Sequence, residues 1–156
     1  MWPKGPTLMS TDDPLTVLMV PDYSDRNPYQ SQLGSALGRQ SVTVSMGDIS
    51  GFLPILREWY QNDRPDVIHI HWVHTFISTD RATLSAILAF RLILELLIAR
   101  LLGTRIVWTV HNLMSHNRRH PRIELAVRRL VATLASRIIV HCDSARADGS
   151  KEYDLP

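Results

Sequence analysis

The sequence predicts an α/β domain built on a doubly wound parallel sheet of about five strands. Short β-branched apolar runs recur along the chain, longer helical patterns separate them, and runs such as Ile106–Val110 are apolar almost throughout. Strands separated by helices pair in parallel through right-handed crossovers, with helices covering both faces of the sheet. Continuously apolar strands fit burial on both sides. The expected strand order is 3-2-1-4-5. In such sheets ligands bind beyond the carboxyl ends of the strands, here near a switch point between the first and fourth.

Leu15–Val20 is the first apolar run and Pro21 stops it. Asn27-Pro28-Tyr29 reads as a helix start, because Asn accepts from a free backbone N–H and Pro in the first turn loses no bond. Leu33, Ala36 and Leu37 give that helix its apolar face before Gly38. Val42–Met46 is the second strand. Ile49–Tyr60 is a helix with Phe52, Leu53, Leu56, Trp59 and Tyr60 as its apolar positions and Pro54 within its first turn. Asp66–Trp72 is the third strand, and Thr104–Val110, after Gly103, is the fourth. Ile123–Ala135 is a helix whose buried stripe is Leu125, Val127, Leu130, Val131 and Leu134. Arg137–Cys142 is the fifth strand.

Between the third and fourth strands lies the longest helical pattern, Ala82–Leu102. Its uncharged stretch from Ala82 to Phe90 is 9 residues, against the ~20 needed to span a bilayer. Arg91 and Glu95 stand one turn apart and are expected to pair on the solvent side. A buried core helix is expected in preference to a membrane-surface helix, and a membrane span is not.

With 156 residues, 45% of them hydrophobic and 21% charged, the chain fits one soluble domain and excludes disordered, collagen-like and coiled-coil classes. The expected organisation is a flexible segment over 1–14, the domain over 15–145, and a tail over 146–156 that is also read as the start of a second domain. One cysteine, Cys142, offers neither an internal disulfide nor a cysteine zinc site. No secretory signal is visible, and a cytoplasmic location, with peripheral attachment at the inner face of the membrane, is the expectation. Residues 1–80 carry a net −4 and residues 81–146 a net +8, with 11 Arg against 3 acids. That asymmetry suits an anionic partner such as phosphate, nucleotide or lipid headgroup, and suits a solvated Arg-rich surface equally.

Functional side chains gather after three strands. Asp22, Tyr23, Asn27 and Tyr29 follow the first, leading into a helix N-terminus that attracts anions. His71, Trp72 and His74 follow the third. The segment after the fourth, 111–120, holds three of the seven histidines together with Arg118 and Arg119. Charges and imidazoles are costly to bury, so their concentration at one rim argues for a cleft there. His69 lies further from its strand end and reads as structural. On position alone His71 and His111 fit a structural or a functional role equally. Arg118, Arg119 and Arg122 suit phosphate or a solvated loop and helix start. The histidines lack an obvious carboxylate companion, so no metal is expected. Gly-x-Gly-x-x-Gly, Walker A and Gly-x-Ser-x-Gly patterns are absent.

Asp66–Trp72, Thr104–Asn112 and Ser136–Cys142, taken in order, resemble the N-terminal domain of GT-B glycosyltransferases of family 4 (the group 1 relatives). Asn27-Pro28-Tyr29-Gln30 is similar to some members of that group. The likeness covers about residues 15–145 and implies a Rossmann-like domain, one half of a two-domain enzyme. It implies His111 as the catalytic residue near the transferring sugar or donor phosphate, with His71 and Trp72 on the acceptor side. Asp22, Tyr23, Asn27, Tyr29, His74, Asn112, His116, Arg118 and Arg119 complete the expected substrate-binding set. The loop Asp22–Tyr29 stands where the family has a glycine-rich loop, so direct diphosphate contact there is not implied. The family continues into a donor domain at about the point where this sequence stops, so the chain is expected to be inactive alone.

The expected function is thus the acceptor-side domain of a transferase that moves a sugar from a nucleotide-sugar to a lipid-linked or polysaccharide acceptor. No cofactor and no nucleic-acid partner are expected. Arg122, Arg128 and Arg129 suit approach to an anionic membrane surface. Two other classes compete: a non-catalytic Rossmann-like module that docks a separate donor-binding chain, and a metal-dependent hydrolase built on the histidines.

Overall fold

The structure is a computed structural model that describes residues 13–111 and 119–141. Five strands alternate with four α-helices: β1 (Thr16–Val20), α1 (Pro28–Gly38), β2 (Thr43–Met46), α2 (Pro54–Gln61), β3 (Val67–Ile70), α3 (Ala82–Leu101), β4 (Arg105–Val110), α4 (Pro121–Leu134) and β5 (Arg137–Val140). A 3₁₀ turn, Val73–Phe76, follows β3. Every neighbouring pair of strands is parallel, so the doubly wound α/β class holds.

The strand order is β2-β1-β3-β4-β5, which corrects the expected 3-2-1-4-5. The physical reason lies in which strand can tolerate an edge. All four residues of β3 are buried, whereas β2 offers Thr43 and Ser45 and none of its four residues is fully buried. Side chains with hydroxyls suit the rim, so β2 takes the edge and β3 inserts between β1 and β4. Asp66 clamps this pairing, because its carboxylate accepts from Thr16 N and Thr16 Oγ1 at 2.9 and 2.7 Å. The switch point therefore falls between β1 and β3 rather than between the first and fourth strands.

Sequence signals set the local elements. Asn27 caps α1, its Oδ1 accepting from Tyr29 N at 3.0 Å, and Pro28 opens the helix. Proline also fixes the start of α2: it begins at Pro54 rather than at Ile49, because Pro lacks the N–H an interior turn requires. Phe52 is left exposed before it. At Gly47, where the ends of β1 and β2 approach, a Cβ would lie 2.8 Å from Val20 Cγ1, so only glycine fits without displacement.

The main core lies between the sheet and α2, α3 and α4, with Leu18, Ile68, Ile70, Ile106 and Trp108 as its sheet side. Among the described residues, helix α1 alone covers the other face, over Val17, Met19 and Val67. On that face β4 and β5 leave Arg105, Arg137 and Ile139 exposed among the described residues.

Helix α3 differs from the expected buried core helix. Ser85, Ala89, Leu92, Glu95, Leu96 and Ala99 face inward, but Leu84, Ile87, Phe90, Leu94, Leu97 and Leu101 are exposed. The helix sits between α2 and α4 in one layer, with nothing among the described residues outside it. Arg91 and Glu95 do pair, at 3.4 Å, but not on the solvent side. Glu95 is fully buried and accepts from Leu56 N at 3.0 Å, tying α3 to α2. Burial holds its carboxyl above the ordinary range, against the opposing pull of the Leu56 N–H and Arg91. Arg128, read from sequence as a surface charge, is also buried, bonded through Nε and Nη2 to Glu124 Oε1 at 3.0 and 2.7 Å.

Candidate functional site

Three strands end in the same way: His71, His111 and His141 each immediately follow the last residue of β3, β4 and β5. Parallel register brings these ends together, since Val110 pairs with Val140 and Ile70 with Trp108. The imidazoles form a hydrogen-bonded series. His71 Nδ1 lies 3.0 Å from His111 Nε2, and His111 Nδ1 lies 3.2 Å from His141 Nε2. His71 Nε2 is buried and has no hydrogen-bond partner among the described residues. A buried N–H without a partner is costlier than an idle lone pair, which assigns the proton of His71 to Nδ1. His71 then donates to His111, and His111 donates to the exposed His141.

Aromatic rings frame this series. Tyr29, in the first turn of α1, meets all three imidazoles edge-on, with centroid separations of 5.9, 5.0 and 5.3 Å to His71, His111 and His141. Trp72 stacks on His111 at 4.3 Å with the planes 12° apart, and Tyr23 packs edge-on to Trp72 at 5.3 Å. Behind them His69 bonds Thr109 Oγ1 at 2.7 Å. The Asn27 cap and the Pro28 start aim Tyr29 at the strand ends, and so convert a local helix signal into site geometry.

Burial is the main electrostatic fact. It lowers the His69 imidazole to about 4, with His111 adding to the effect. Burial lowers His71 further, to about 2, reinforced by His69, His111 and His141. His111 falls to about 4, through burial and then the neighbouring His141. These three rings are therefore neutral at pH 7. They can hold hydroxyl groups and polarised water but do not neutralise a phosphate. Arg128 is the cation lining the cleft beside Trp72 and His111, and it is already paired with Glu124. The space within that cleft is only about 10 Å³, room for about one water and far below the ~300–1,000 Å³ of a small-molecule site. As described, it is one shallow wall.

The other expected residues are distributed as follows. Asn27 commits its side-chain oxygen to the α1 cap, and Asp22 Oδ1 accepts from Ser24 N and Ser24 Oγ at 2.9 and 2.7 Å. His74 borders the main cleft and a second one, which Ser85, His120 and Glu124 also line. Arg119 belongs to that second cleft and pairs with Asp80. Asn112, His116 and Arg118 lie outside the described residues. Among the described residues no group of three His, Cys, Asp or Glu side chains could hold a metal ion. The imidazoles stand in series, and His111 spends both nitrogens on its neighbours.

Sequence reasoning missed His141, Gln30 and Thr109. The repeated pattern of a histidine directly after an apolar strand was the available signal for His141. Gln30 is fully buried, accepting from Tyr23 N and donating to Pro21 O, both at 2.8 Å. It locks the loop after β1 onto α1, and no local pattern announces so distant a role.

Aromatic and imidazole groups thus converge at the carboxyl rim of a parallel α/β sheet, the rim beyond which ligands bind in sheets of this class. A family model described as Glycosyltransferase Family 4 matches residues 16–156, and the chain belongs to that family. No curated protein and no solved structure matches it.

Proposed function

We propose that this chain forms the acceptor-side wall of a glycosyltransferase that moves a sugar from a nucleotide-sugar to a hydroxyl of a lipid-linked or polysaccharide acceptor. The carrying observation is the His71–His111–His141 series capped by Tyr29 and Trp72. Neutral imidazoles and flat aromatic faces suit an uncharged, hydroxyl-rich ring better than a diphosphate. In the transfer, an acceptor oxygen bonds to the anomeric carbon as the bond from that carbon to the donor phosphate breaks. The nucleotide departs as an anion, and its leaving phosphate oxygen takes up the acceptor proton, which balances the step. His111 holds the acceptor hydroxyl by exchanging one of its two imidazole contacts for it, and its Trp72 stack fixes the ring plane. A facing wall must supply donor binding and exclude water.

Tryptophan indole resonances test this on the intact chain. Oligosaccharides and nucleotide-sugars added in turn should shift the Trp72 indole signal, identified by Trp72→Phe. The Trp59 signal, from a buried indole that bonds Thr104 away from the cleft, should stay in place. A Trp72 signal that ignores every saccharide overturns the reading. That outcome would favour the alternative of a non-catalytic module docking a separate donor-binding chain, which shares the open crevice but has no use for a sugar contact.

A further inference from the structure

We propose that the outward face of α3 pairs with the same face of a second copy of this chain, the two helices lying antiparallel across a two-fold axis. By length and composition α3 could cross a membrane, yet its inward face packs on the sheet and on α2 and α4, so only its outward face is left to cover. Ile87, Phe90, Leu94, Leu97 and Leu101 are exposed there and follow one another at three, four, three and four residues. A strict alternation of three and four makes a seam for one other helix, narrower than the stripe with which a helix covers a sheet. Such a seam holds its partner within about 20° of its own axis, so contact continues along the ~20 Å from Ile87 to Leu101.

The side chains beside the seam choose its occupant. Arg91 turns sideways to Glu95 and to the Gly51 carbonyl, at 3.4 Å in each case, and Arg100 donates to the Leu134 carbonyl of α4. Both guanidinium groups are held within the domain, so the seam presents neither cations to an anionic partner nor like charges to a second copy. The other exposed side chains of α3 are Ala82, Thr83, Leu84 and Ala86, small or apolar flanks that admit a second helix closely. An isologous contact needs a surface that matches itself. Antiparallel alignment meets that need: Ile87 faces Leu97 of the partner subunit, Phe90 faces Leu94 of the partner subunit, and the helix dipoles oppose. Covered in this way, the exposed apolar area of α3 with Leu102 and Leu130 comes to roughly 800 Å² per copy, what a stable dimer contact buries. The parallel topology starts α3 at the rim that bears the histidine series, so the two-fold sends the two crevices to opposite ends and leaves both open. The argument stands on the helix face and does not require the transferase reading.

Sedimentation equilibrium of the intact chain in detergent-free buffer tests it. The chain should sediment at twice its own mass at micromolar concentration. Ile87 and Phe90 are 63% and 70% exposed, so Ile87→Glu/Phe90→Glu should keep the wild-type circular dichroism while weakening the dimer at least tenfold. Leu97→Gln/Leu101→Gln, which retains helix-forming residues, should do the same from the other end of the seam. Ser35→Glu, on the exposed side of α1, should dimerise as wild type. Oxidation reads the alignment: Ile87→Cys and Leu97→Cys chains, each also carrying Cys142→Ser, should form a disulfide-linked dimer when mixed and none when alone. A wild-type monomer throughout the micromolar range overturns the proposal, as does undiminished dimerisation by folded seam variants. So does a monomer that binds lipid vesicles through the seam, or a cross-link formed by either cysteine chain alone.

Discussion

Moving from pH 7 to pH 5 is expected to lower the unfolding free energy of the chain by about 3–4 kcal/mol. The effect comes from His69 and His71, which are 4% and 0% exposed. In the unfolded chain each imidazole takes a proton near pH 6.5. In the folded chain burial delays this to about 4 for His69 and about 2 for His71. Above pH 6.5 both states bind the same number of protons and stability is flat. Below it the unfolded state binds more, so stability falls as pH falls, by about 2 kcal/mol for each of the two between pH 7 and 5. His111 acts in the same direction but is partly solvated, and water screens its share. Glu95 acts in the opposite direction: its raised carboxyl favours the folded state as it protonates, which pulls the sum towards the lower figure. Urea unfolding at the two pH values measures the difference, and thermal midpoints should fall by roughly 10 °C. His69→Gln and His71→Asn should each remove about half of the pH dependence. A midpoint that does not move between pH 7 and 5 contradicts the buried series.

Arg128→Ala is expected to cost about 3–5 kcal/mol, because it strands the Glu124 carboxylate without its guanidinium. The two side chains are only 3% and 6% exposed, one turn apart on α4, so water cannot replace the lost partner. Replacing both, as Glu124→Leu/Arg128→Met, removes charge and partner together and should fall within about 1 kcal/mol of wild type. Chemical denaturation of the single and double variants gives the comparison. Additive losses, with the double variant less stable than Arg128→Ala, contradict a buried and mutually dependent pair.

The α/β class was legible because apolar runs and helical patterns alternate, and the Asn27-Pro28 start was legible because capping is local. Strand order was not read correctly. It turns on the contrast between Thr43 and Ser45 in β2 and the wholly buried β3, a difference of two hydroxyl side chains. Meeting of His71 and His111 followed from their places at strand ends, independently of the order chosen. His141 escaped because it stands alone before Cys142 instead of inside a polar loop. Glu95 and Arg128 show why charge is a poor guide to exposure: a partner at i±4 makes burial affordable, and the sequence alone shows the spacing but not the face. The apolar content of α3 was visible, yet its exposure depends on what packs outside it, which is a tertiary property.

Sugar transfer itself tests the central claim most directly. Membranes and lysate from cells that produce the protein at its native level are incubated with labelled nucleotide-sugars, and label reaching lipid or glycan is compared between the wild-type sequence and His111→Ala. The account predicts at least a hundredfold loss of transfer for His111→Ala, and none for Ser35→Ala on the far side of α1. Transfer that continues undiminished in His111→Ala, with the variant folded, would contradict it.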